Sequence, residues 1–115
     1  MRKQIIENAA YEVATQVRAV EDVIDSALSE IAELQARVMR VDAVAGVGYG
    51  VIHPTLQQLS AAVIGLVESR GAVVACHEAL AEAKCKVPGL RNVSWGDGDD
   101  CPEKKIAKTD LRIVA

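Results

Sequence analysis

Along the first third of the chain, apolar residues recur at positions 6, 10, 13, 17, 20, 24, 27, 31, 34, 38 and 41, occupied by Ile, Ala, Val, Val, Val, Ile, Ala, Ile, Leu, Val and Val. The steps alternate between four and three, the heptad of a helix that packs along one seam. The pattern predicts one helix over residues 3–41, about 58 Å long at 1.5 Å per residue. Glu7, Glu12, Glu21, Asp22, Asp25, Glu30 and Glu33 fall off the seam with Arg18, Arg37 and Arg40. The last two arginines suit a helix C-terminus, where the backbone dipole favours cations.

The periodicity lapses over residues 42–54, which hold Gly46, Gly48 and Gly50 at every second position and then His53-Pro54. Glycine and proline punctuate helices, so a turn is expected there. A glycine-rich loop before a helix can cradle phosphate, but no Gly-Lys-Ser/Thr follows and no strand pattern precedes it. A plain interhelical turn is the better reading. Pro54 fits the first turn of a second helix over about residues 55–87, and Pro88-Gly89 stops it. The fold expected is all-α: a long antiparallel two-helix hairpin, coiled-coil-like, over residues 1–87. Residues 88–115 form a C-terminal extension, read as short strands or irregular coil around the polar stretch at 96–100.

Continuing the heptad through the second helix gives Leu56, Leu59, Val63, Leu66, Arg70, Val73, His77, Leu80, Lys84 and Val87. Three basic residues thus sit seven apart on a seam. Closing the hairpin near residues 41 and 56 places Arg70 near Ala27, His77 near Val20 and Lys84 near Val13. Acids flank each position: Asp25 or Glu30, Glu21, and Glu12. Polar groups in a seam fix register, and long cationic side chains reach flanking acids.

A second line on the same helix is made of small residues: Ala61, Gly65, Ser69, Ala72, Cys76, Ala79 and Ala83. Such a line lets another backbone approach closely. With Ile64, Val67, Val74 and Ala81 between the two lines, this helix is apolar over most of its circumference, the pattern of a helix covered all round. One partner helix covers one line only, so the remaining apolar area is expected to meet the tail, a neighbouring chain or another partner. The candidate interaction residues are that small-residue line together with Trp95, Leu111 and Ile113. The last two belong to an alternating terminal segment able to add to a sheet edge.

Composition narrows the function. The 115 residues suit one domain, and with 18 alanines, 16 valines and no Phe any core is thin. A net charge of -3 gives no basic footprint for nucleic acid. The uncharged stretch at 43–67 is interrupted by Gly, His, Pro and Gln, so no membrane span is expected, and no signal peptide is read. Cys76, Cys85 and Cys101 form no Cys-x-x-Cys pair, and are expected as buried thiols in a reducing compartment. His77 lacks a second His or a thiol cluster on its face, and residues 96–100 lack the spacing of a calcium hand. No catalytic set assembles from His53, His77 and the thiols. The expectation is a non-enzyme with no metal, no cofactor and no small-molecule substrate.

Two stretches, Val20-Glu21-Asp22-Val23-Ile24-Asp25-Ser26-Ala27-Leu28 and Glu68-Ser69-Arg70-Gly71-Ala72-Val73-Val74-Ala75-Cys76-His77-Glu78-Ala79-Leu80, resemble short helical proteins encoded by alphaproteobacterial tailed phages and prophages. Cys101-Pro102 and the three cysteines depart from that group. The resemblance implies a setting, a virion or phage gene cluster, and assigns no role to individual residues. The function expected is a structural assembly subunit, such as a phage head or tail accessory component, that oligomerises through its helices. It would be made in the host cytoplasm and carried into a virion. The alternative is a small regulatory module, such as an antitoxin, chaperone or host-factor inhibitor, that binds one partner helix.

Overall fold

The computed structural model describes residues 2–94 together with Cys101. Two helices, α1 (Arg2–Ala45) and α2 (Tyr49–Cys85), pack side by side as an antiparallel hairpin. No strand occurs among the described residues. Residues 88–92 form consecutive turns where a short extended piece is one expectation, with the Leu90 N–H donating to the Val87 carbonyl and the Val93 N–H to the Leu90 carbonyl. Trp95, Leu111 and Ile113 lie outside the described residues.

The connection between the helices is much shorter than residues 42–54. Helix α1 runs on to Ala45 and ends at Gly46, whose φ of 62° is the left-handed cap conformation. The Gly46 N–H donates to the Asp42 carbonyl at 2.8 Å, closing the last turn. Gly48, at φ 89° and ψ 156°, occupies a region open essentially to glycine alone and starts α2. Two glycines with positive φ therefore reverse the chain in three residues, and Gly50, His53 and Pro54 belong to the helix. Pro54 sits inside it rather than at its first position, where its ring displaces the hydrogen bond to the carbonyl of Gly50.

The seam of α2 follows its heptad: Leu56, Leu59, Val63, Leu66, Val73, His77, Lys84 and Val87 are half-buried or buried, while Arg70 and Leu80 stay exposed. On α1 the interface is rotated from expectation. Ala10, Val17, Ile24, Ile31 and Val38 are half-buried as the heptad requires, but Ala14, Glu21, Leu28 and Asp42 complete the face. In the other expected column Ile6 and Ala27 are half-buried, while Val13, Val20, Leu34 and Val41 stay 47, 39, 50 and 60% exposed. One helix covers one flank of its neighbour, and here the covered flank is the side from which Glu21 and Asp25 reach His77 and Arg70.

Helix α2 is thus not enclosed in the single chain. Ile64, Val67 and Val74 are 58, 55 and 48% exposed. Among the described residues, only Leu90 and Lys84 are buried. Both belong to the open end of the hairpin, where residues 86–94 fold back. Gly89, at φ 88°, lies against the aliphatic stem of Lys3, and Lys84 donates through Nζ to the Val93 carbonyl. A Cys85–Cys101 disulfide ties this end together, so two of the three cysteines are not thiols and the third, Cys76, is exposed. Proximity at the end of α2 overrides the expectation of three buried thiols.

Candidate interaction surface

The antiparallel register is fixed by two polar contacts. Arg70 Nε donates to Asp25 Oδ1 at 3.0 Å, and His77 Nδ1 lies 3.1 Å from Glu21 Oε1. Both pairings match the acids that the sequence places opposite those positions. The third cation, Lys84, turns its ammonium to the Val93 carbonyl as part of the end cap. The Arg70–Asp25 pair is more than half exposed on both sides, so it orients the helices while adding at most about 1 kcal/mol.

At 100° per residue, Asp25 stands about 140° around α1 from Val20. The ion-paired flank and the Val13, Val20, Leu34 and Val41 column therefore look in different directions. A cavity of about 220 Å³ near the open end shows what the column faces. Val13 of α1 lines it with Leu80 and Ala83 of α2, together with Ala10, Val17, Lys84 and Leu90. Ala83 belongs to the small-residue line. The α1 column and the α2 line therefore flank the same side of the hairpin.

That side is largely apolar, with Glu30 and Arg37 one turn before Leu34 and Val41 on α1 and Glu68 between Gly65 and Ala72 on α2. On α1 it carries Val13, Val20, Ala27, Leu34 and Val41; on α2 it carries Gly65, Ser69, Ala72, Cys76, Ala79 and Ala83, continued by Ala61 toward the turn. Every one of the seven small residues is exposed. One broad face thus has a ridge of branched side chains beside a shallow trough. The structure brings together the expected small-residue candidates and adds the α1 column, which the heptad assigns to the internal seam. Its exposure is not legible in the sequence because a hairpin and a multi-helix bundle share the same heptad.

No group of three or more His, Cys, Asp or Glu able to hold a metal occurs among the described residues. His77 is half-buried against Glu21, and Cys76, next to it in sequence, is exposed. The arrangement offers shape and apolar area for recognition. No family model matches the chain, nor does a curated protein or a solved structure.

Proposed function

We propose that this chain is a non-enzymatic assembly subunit that associates with copies of itself or with other subunits through the sides of its two helices. The observation that carries the reading is the lack of an enclosed core: along the paired helices, only Lys84 is buried, and the large apolar residues of both helices remain open to solvent. Burial of apolar surface is the main drive for folding, so a rod that hides so little of it gains stability by association.

A virion component in a tailed phage is the concrete form of this proposal, resting on the resemblance of the two helical stretches. The Cys85–Cys101 bond supports it, since disulfides persist on released particles and are rare in reducing cytoplasm. The regulatory alternative draws on the same open face, which would then receive one helix of a foreign partner. Light scattering of the untagged chain over a concentration series separates the two. A stable mass of several chains supports the assembly subunit; a 12.2 kDa species at every concentration overturns it in favour of the regulatory module.

A further inference from the structure

Beyond association through the sides of the helices, we infer that the turn end of the hairpin is a tip that enters the interfacial layer of a lipid bilayer without spanning it. The two most exposed large apolar side chains among the described residues stand there, Val44 at 85% and Tyr49 at 90%, with Val51 at 64% and Val47 at 39%. From Ala43 to Val67 the chain carries no Asp, Glu, Lys or Arg. The end of a two-helix rod is small for a protein partner: these four residues lie within eight positions, whereas a stable protein interface uses about 20–30 residues a side. A bilayer accepts a narrow apolar point without a matched outline.

Charge sets the depth. Asp42 and Arg40 lie just behind the tip, with Arg37 and Glu33 behind them. Only Ala43, Val44 and Ala45 of α1 extend past Asp42, about 5 Å of helix, beside the first turn of α2. That matches the roughly 5–10 Å by which an interfacial apolar segment enters the boundary of headgroups and acyl chains. Helix α2 is long and apolar enough to cross a membrane by length and composition. The register set by Arg70–Asp25 and His77–Glu21, however, keeps Glu30, Glu33, Arg37 and Arg40 of α1 beside its uncharged first half, and ionised side chains resist hydrocarbon.

The chemistry of the tip suits the same layer. Helix α2 starts at Gly48 with no side-chain cap, so its first N–H groups need oxygen partners that water and lipid headgroups supply and the bilayer centre does not. The ring of Tyr49, apolar with a hydroxyl at its end, belongs to the side chains that gather at membrane interfaces. Arg37 and Arg40 are exposed, and their long stems let the guanidinium groups stay at headgroup level.

The test uses the full chain with its disulfide intact and vesicles of phosphatidylcholine, read through a Tyr49→Trp, Trp95→Phe variant. The expected outcome is sedimentation with the vesicles to the same extent at low and high salt, and a shift of the emission from position 49 to shorter wavelength. Quenching by brominated lipid should be stronger for bromines near the headgroup end of the acyl chain than near its terminus. Val44→Asp, at a position open to solvent, should keep the helical signal in circular dichroism and weaken vesicle binding about tenfold or more. Absence of sedimentation, binding unchanged by Val44→Asp, or quenching strongest at the bilayer centre each overturns the proposal. An emission shift that needs no vesicles and grows with chain concentration also overturns it and assigns the tip to contact between copies. Light scattering without lipid reads the assembly proposal separately, so failure of the tip leaves that reading standing.

Discussion

The two ends of the hairpin are built on opposite principles. At the open end, residues 86–94 fold back over the helices, Leu90 is 4% and Lys84 7% exposed, and a disulfide closes the cap. At the turn end the chain reverses in three residues, with Val44, Tyr49 and Val51 at 85, 90 and 64% exposure. The first end holds the only buried residues among those described; at the second the side chains nearest the turn, among them Asp42, Ile52 and Leu56, are at most half-buried. Local stability follows from such contact, so the turn end opens most readily in an isolated chain. Covalent and apolar locking orders the cap, whereas the proposed association would order the rod.

The largest expected effect that tests this contrast is at the cap. Leu90→Ala removes the one buried apolar side chain among the described residues and should lower unfolding stability by about 2–5 kcal/mol, read in urea titrations. A loss below about 1 kcal/mol would mean that the cap contributes no packing of its own. Next comes the covalent closure. The Cys85–Cys101 bond spans 16 residues in sequence, a loop whose closure restricts the unfolded chain by about 3 kcal/mol. Cys101→Ser should lower the thermal midpoint and speed proteolysis after residue 86, while α1 and α2 keep their helical signal by circular dichroism. Equal resistance with and without the bond would remove the cap from the account.

A smaller effect is expected at the turn. Gly48→Ala imposes a Cβ on a backbone at φ 89° and ψ 156°, which strains it by about 1–3 kcal/mol. No atom lies within 4 Å of a Cβ placed there, so the penalty is conformational and not steric crowding by neighbours. A stability equal to wild type would show that the turn relaxes freely and that the reversal is not set by Gly48.

The hairpin itself is legible in the sequence because the heptads of both helices are nearly unbroken, and the seam cations Arg70 and His77 pair with the flanking acids Asp25 and Glu21 where antiparallel closure puts them. The pattern overstates the turn because glycines and Pro54 count as helix breakers, whereas positive φ is needed only at Gly46 and Gly48. The exposed α1 column is not legible, since a heptad reports that a stripe will be buried and not whether the same chain or another buries it. The disulfide is equally hidden: three cysteines allow three pairings, and the sequence alone does not choose Cys85–Cys101 among them.

The central claim is that association completes the apolar packing that a single hairpin leaves open. Thermal unfolding of the helices, followed by circular dichroism across a wide dilution series with the disulfide intact, tests it most directly. Mass action requires the midpoint to rise with chain concentration if unfolding dissociates the assembly. The account predicts that rise, together with loss of helical signal on dilution at fixed temperature. A cooperative midpoint independent of concentration, in a chain shown to be monomeric, would contradict it.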